Sequence, residues 1–176
     1  MKKIPGMNYC MECGTKLIPR ELKNEGMIPY CETCNTFRFP VFNTGVSMIV
    51  KYQGKILLIK QYGGNEYILT AGYVNKGEDA EHAAVREIGE ELGLEVRELH
   101  FNHSHFYAPS NTLMLNFTVE VTSAAVQPNE EIDSYAWFTE EDARKNIRRN
   151  SLAQAFLLGY LDHVYTFPEQ PALPYK

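Results

Sequence analysis

An α+β fold, a mixed sheet sandwiched between helices and preceded by a small N-terminal ribbon, is predicted by three features of this 176-residue chain. Short β-rich runs flank one central amphipathic helix, further helical patterns gather near the C-terminal end, and all four cysteines lie before residue 35. Composition agrees, with 44% hydrophobic, 22% charged and 12% aromatic residues, as in a soluble globular protein. The natural division is residues 1–40 and residues 41–176.

In the first segment the cysteines read Cys10-x2-Cys13 and Cys31-x2-Cys34, with seventeen residues between the pairs. In a reducing compartment this is zinc-ribbon spacing: two turns each present a pair of thiolates, and four sulfurs enclose a tetrahedral ion. Gly14 suits the tight knuckle turn after Cys13. Two disulfides or a redox CxxC are the alternatives. Protein sulfur would fill all four positions, so a Zn²⁺ here would be structural and would supply much of the folding free energy of so small a unit.

Beyond Phe39 and Pro40 the patterning changes. Gly45 to Val50 and Lys55 to Ile59 read as a hairpin with Gly54 in its turn, and Tyr67 to Leu69 as a short strand. A helix follows from Asp79, as N-cap, to Leu92, with Gly93 as its stop. Residues from Glu95 to Phe106 are extended. Leu113 to Val121 alternates as a half-buried strand, and Tyr135 to Phe138 is another short strand holding the one tryptophan, Trp137, a core residue. Thr139 caps a helix to about Asn146; Ser151 and Gln154 form a capping box for a helix to about Val164. The proline-bearing tail is read as irregular or surface-packed.

On the central helix Glu87, Glu90 and Glu91 stand in i, i+3, i+4 relation and share an arc of about 100°. Val85, Ile88 and Leu92 form the apolar stripe that docks it. Like charges at this spacing destabilise a helix by roughly 0.2–0.5 kcal/mol per pair. Arg86 reaches Glu90 but cannot neutralise three carboxylates. A divalent cation can, and an all-oxygen donor set favours Mg²⁺, then Mn²⁺, with the remaining ligands drawn from waters and substrate phosphates.

These residues carry a resemblance. Gly72, Glu78, Arg86, Glu87, Ile88, Glu90, Glu91, Gly93 and Leu94 match every fixed position of G-x5-E-x7-R-E-U-x-E-E-x-G-U, and the stretch resembles the Nudix box. The resemblance covers roughly residues 41 to 165. It implies a mixed sheet between helices, and Mg²⁺- or Mn²⁺-dependent hydrolysis of a nucleoside diphosphate linked to another moiety. Metals bridging a diphosphate neutralise its charge and lower the pKa of a bound water. Carried over by position, Glu87 and Glu91 are metal ligands, Glu90 shares the metals or orients water, Arg86 holds carboxylates including Glu78, and Gly72 lets backbone approach the metals. The general base is either Glu87 or an acid outside the box; Glu131, before Ile132 and the Ala136-Trp137-Phe138 run, resembles a further catalytic glutamate of some members.

A zinc ribbon ahead of such a domain resembles the NADH pyrophosphatase branch, whose members hydrolyse NADH and NAD⁺ and in some cases remove NAD caps from RNA. Of that branch's S-Q-P-W-P-F-P-x-S-L-M only Ser104, Leu113 and Met114 agree, so ADP-ribose and other nucleoside diphosphate derivatives stand level with NADH. Phe106 and Tyr107 are candidates to stack on a base, which is worth ~1–3 kcal/mol. His103 and His105 share a strand face near His100. Polar contacts are the simpler reading there, and a second metal the other. Arg144, Lys145, Arg148 and Arg149 read as a solvated helix end or a phosphate contact.

A net charge of −5 supplies no overall basic field for long nucleic acids or an anionic membrane. The basic start MKKIPG leads into no apolar core of a signal, and no window reaches the ~18 apolar residues of a membrane span. The expectation is a cytoplasmic homodimer acting on a small nucleotide, with NAD-capped RNA as a further substrate. The competing class is a non-catalytic nucleotide sensor that contacts a partner through the ribbon. Such a sensor is free to lose Glu87, Glu90 or Glu91, and this chain keeps all three.

Overall fold

The computed structural model describes residues 7–168, so the MKKIPG segment and most of the C-terminal tail lie outside the described residues. The described residues form two units, divided between Phe42 and Asn43.

In the first unit β1 (Ile18–Leu22), β2 (Gly26–Cys31) and β3 (Thr36–Phe37) make an antiparallel sheet in that order. Each cysteine pair closes a knuckle in which the residue after the second cysteine turns left-handed. Gly14 has φ +72°, with its N–H on the Cys10 carbonyl at 2.8 Å. In the second knuckle the same place is taken by Asn35 at φ +54°, whose side-chain oxygen accepts a hydrogen bond from the Tyr30 hydroxyl. Asparagine tolerates this conformation better than most residues because its short polar side chain bonds locally.

The second unit is built on a six-stranded sheet: β4 (Asn43–Tyr52), β5 (Lys55–Gln61), β6 (Thr70–Tyr73), β7 (Val96–Tyr107), β8 (Thr112–Val121) and β9 (Ile132–Phe138). The order is β7-β8-β4-β5-β9, with β6 paired to β4; β4 and β8 run parallel and the other pairs antiparallel. One face carries α1 (Ala80–Leu92) over Val46, Met48, Val50, Leu57, Ile59, Phe117 and Val119; the other carries α2 (Glu140–Asn146) and α3 (Leu152–Asp162) over Ile49, Ile56, Leu58 and Leu69. This is the mixed α/β/α sandwich expected from the sequence. No described helix is long and apolar enough to cross a membrane.

Thr139 and Ser151 cap their helices as expected, whereas Asp79 stands at the N-cap of α1 without a side-chain capping bond. Thr139 Oγ1 accepts from the Asp142 N–H at 3.1 Å and Ser151 Oγ from the Gln154 N–H at 3.0 Å, while Gly93 ends α1 at φ +62°. Several details differ. The strand expected at Tyr67 to Leu69 starts at Thr70, since Tyr67 and Ile68 make only isolated bridges, to Ile147 and Ile59. Strand β8 is covered on both faces rather than half-buried, because Asn116 and Thr118 pack inside with their polar groups bonded to Ser47 and Asn102. Val85 is 43% exposed and does not belong to the docking stripe, which is Ala83, Ala84, Ile88 and Leu92. Alanines in the first turns let α1 approach the sheet closely on that side. Trp137 is only partly buried against the core, with its indole N–H donating to the Ala124 carbonyl.

Candidate active site

The acidic site forms where α1 passes the β6 strand. Gly72 in β6 makes room for the Glu87 side chain: a Cβ there would lie 2.1 Å from the carboxylate, which would have to shift. The Glu87 side chain therefore rests against bare backbone. Arg86, the next residue, organises its neighbours. Its Nε and Nη2 donate to the two oxygens of Glu78 at 2.8 and 3.0 Å, its Nη1 to Glu87 Oε1 at 2.8 Å and to Glu90 Oε2 at 2.9 Å, and Nη2 also to the Tyr73 carbonyl at 3.0 Å. This clamp ties α1 to the loop before it, and the guanidinium holds the Glu78 carboxyl down at about 2.

Glu91 is different. Only 5% exposed, it lies on the core side of the acidic arc, and its Oε2 has no hydrogen-bond partner. Burial first, then the charges of Glu87, Glu131 and Glu90, push its pKa up to about 7. Leaving such a group unpaired is expensive.

Glu131 reaches this site from the far side of the sequence. The loop before β9 is hung on the end of α1, with Gln127 N–H on the Leu92 carbonyl at 2.7 Å and Asn129 N–H on the Glu91 carbonyl at 3.0 Å. Asn129 Oδ1 in turn accepts from the Glu131 N–H at 3.0 Å. Together Gln61, Tyr62, Ala71, Gly72, Tyr73, Asn75, Arg86, Glu87, Glu90, Glu91 and Glu131 line a cleft of about 490 Å³. Of these, Tyr62 (72% exposed) and Tyr73 (58% exposed) went unnoticed in the sequence. The available signal was an aromatic set directly before Gly63-Gly64, a turn pair at a strand end.

Phe106 and Tyr107 do not line that cleft. They end β7, in register with Leu113 and Thr112 of β8. His103 and His105 do share a strand face, and their rings stack on Tyr165 and Phe167 at centroid separations of 4.3 and 3.8 Å. Arg144 pairs with Asp162, Lys145 with Glu141 and Arg148 with Glu66.

The donor set fits a hard divalent cation on three counts. Glu87, Glu90, Glu91 and Glu131 line one cleft beside a single guanidinium, one buried oxygen lacks any hydrogen-bond partner, and Gly72 leaves room that a side chain would take. In the first unit, the sulfurs of Cys10, Cys13, Cys31 and Cys34 all lie within 4.8 Å of one another, with no disulfide among them. Cys10–Cys34 at 3.9 Å and Cys13–Cys31 at 3.4 Å bracket the ~3.8 Å edge of a tetrahedron with 2.3 Å Zn–S bonds. The thiols do not titrate alike: Cys13 falls to about 6, chiefly through the Thr15 hydroxyl, and Cys34 rises to about 12, chiefly through Cys13.

A mixed sheet with this helix and this acid cluster defines the Nudix class, and the NUDIX domain model matches residues 41–156. The chain belongs to the Nudix hydrolase family and resembles its NADH pyrophosphatase branch. Among similar proteins is the NAD-capped RNA hydrolase NudC of Pseudomonas aeruginosa, 28% identical over 156 residues that cover 87% of this chain and 55% of the relative. The NAD-capped RNA hydrolase NudC of Stutzerimonas stutzeri is 27% identical over 169 residues, covering 94% of this chain and 60% of the relative. The chain thus spans little more than half the length of these curated relatives. A crystal structure of a NUDIX hydrolase from Nitrosomonas europaea shares the fold, with a TM-score of 0.58 at 19% identity over 92% of this chain and 96% of that one.

Proposed function

We propose that this protein hydrolyses the pyrophosphate bond of a nucleoside diphosphate derivative, with NAD(H), ADP-ribose and the NAD cap of RNA as the leading substrates. The observation that carries this reading is the unpartnered, buried Glu91 oxygen beside Glu87, Glu90 and Glu131 in an open cleft. Glu87 and Glu91 would hold Mg²⁺ or Mn²⁺, with Glu90 shared between the metal and Arg86. When bound, such an ion neutralises the diphosphate and raises the acidity of water. Arg86 keeps Glu78, Glu87 and Glu90 in place, so the carboxylates need little reorganisation. Glu131 would orient the water and accept its proton. Phe106 and Tyr107 remain candidates for contact with the outer part of a long substrate, and Tyr73, at the cleft wall, with the nearer part. The cysteine quartet would hold structural Zn²⁺ in a ribbon domain of residues 1–40, ahead of the catalytic domain. A cytoplasmic homodimer is the expected working form.

The NudC relatives support the choice of substrates by likeness alone. The test is a panel of NADH, NAD⁺, ADP-ribose, diadenosine polyphosphates, nucleotide sugars and NAD-capped RNA, assayed with Mg²⁺ and with Mn²⁺. At least one should be cleaved at its pyrophosphate, and Glu87→Gln should lower that rate by roughly 10³-fold with the fold intact. Unchanged turnover in the purified variant would falsify the role of Glu87.

A further inference from the structure

We infer that Tyr62 is a positioning residue for Glu131, so that the pair, and not Glu131 alone, sets the water-orienting acid over the cleft; this rests on the hydrolase reading above. Tyr62 and Gly63 have φ of +54° and +72°, and the Gly64 N–H donates to the Gln61 carbonyl at 2.9 Å. Two successive left-handed residues closed by this bond are the signature of a type I′ turn, whose first central position favours Asn, Asp or Gly. Elsewhere among the described residues the left-handed non-glycine positions are held by asparagine at 24, 35, 111 and 150, by Gln53 and by His163. A tyrosine is sterically disfavoured there. Burial does not compensate for it, because the side chain is 72% exposed.

What the tyrosine gains is Glu131. Its hydroxyl donates to Glu131 Oε2 and its N–H to the Glu131 carbonyl at 3.4 Å, while the Gly63 N–H donates to Asp133 Oδ2 at 2.7 Å. The β5–β9 register slips between Lys60 and Gln61, passing over Asp133, which turns this end of β9 toward the turn. Glu131 is thereby gripped by Asn129 on its backbone and by Tyr62 on one carboxylate oxygen. Its Oε1 carries no bond among the described residues and is left to accept from water. A locally unfavourable residue that points its one polar atom at a catalytic carboxylate is what a functional compromise predicts.

The experiment uses the full chain with NADH and ADP-ribose. Tyr62→Phe keeps the ring and loses the hydroxyl; it should lower kcat about tenfold with KM within about twofold. Tyr62→Asn supplies the residue the turn prefers, so its melting temperature should hold or rise while kcat falls as in Tyr62→Phe. Added to Glu131→Gln, Tyr62→Phe should cost nothing more, because it acts through that carboxylate. Wild-type kcat in Tyr62→Phe, a loss confined to KM, or losses that multiply in the double variant would each overturn the inference. Full activity in Glu131→Gln alongside an inactive Glu87→Gln would overturn it too, yet leave the hydrolase reading standing. A wild-type protein that cleaves neither substrate would count against both.

Discussion

The cysteine quartet and the glutamate cluster are both sets of anionic ligands gathered from separate stretches of chain, but they are finished to different degrees. In the ribbon four sulfurs lie within 4.8 Å of one another, two of them buried, and each comes from a knuckle stiffened by a left-handed residue. An ion entering there would meet four sulfurs. In the cleft, by contrast, Arg86 draws Glu78, Glu87 and Glu90 into its own bonds, and Glu91 keeps an unpartnered oxygen. Among the described residues only the cysteines gather their ligand atoms within 4.8 Å, so the glutamates line an open cleft rather than enclose a cation. The difference teaches that a metal in the ribbon would complete the fold, whereas one in the cleft would have to be completed by substrate phosphates.

The largest effect expected from breaking that contrast lies in the ribbon. Cys31→Ser should abolish zinc binding and the β1–β2–β3 pairing, since structural zinc in such units is worth ~10–16 kcal/mol. Elemental analysis together with amide NMR of the ribbon signals checks this; an ordered, zinc-free ribbon with two disulfides would refute the zinc assignment.

Next comes the cleft's steric requirement. Gly72→Ala places a methyl where the Glu87 carboxylate lies, and should reduce kcat about 10²-fold, as expected for a catalytic group displaced by about 1 Å. Steady-state kinetics against the preferred substrate reads it, and a wild-type rate would mean that Glu87 has room to move.

The mildest effect is on pH. Glu91 is raised from its ordinary 4.5 to about 7, so the fold favours its neutral form. Protein with zinc but without Mg²⁺ or Mn²⁺ should therefore lose stability as pH rises from 4.5 to 7, with little further change from this group above that window. Added Mn²⁺ should restore it above pH 7, because the ion displaces the proton. Thermal melts across this range, compared with Glu91→Gln, isolate the contribution.

Much of this arrangement was legible in the sequence. Glu87, Glu90 and Glu91 are close because helical period alone makes them so, and the CxxC pairs announce a sulfur site through local turn geometry. Glu131 was only suggested, since its place depends on Gln127 and Asn129 bonding to the last carbonyls of α1, a contact between segments some 35 residues apart. The burial of Glu91 could not be read either: period places it with its neighbours, and only the packing of α1 on the sheet leaves its side chain buried. Val85 fails for the same reason, because Ala83 and Ala84 decide which side of the helix goes down. Tyr62 escaped because its turn breaks the residue preference by which such turns are recognised.

The most direct test of the contrast between a closed and an open site is Mn²⁺ binding to the zinc-loaded protein, followed by electron paramagnetic resonance with and without a non-hydrolysable ADP-ribose analogue. An open site completed by phosphate should bind Mn²⁺ weakly alone and at least about tenfold more tightly with the diphosphate, and Glu91→Gln should abolish both. Equal affinity with and without the analogue, or binding undisturbed in Glu91→Gln, would contradict it.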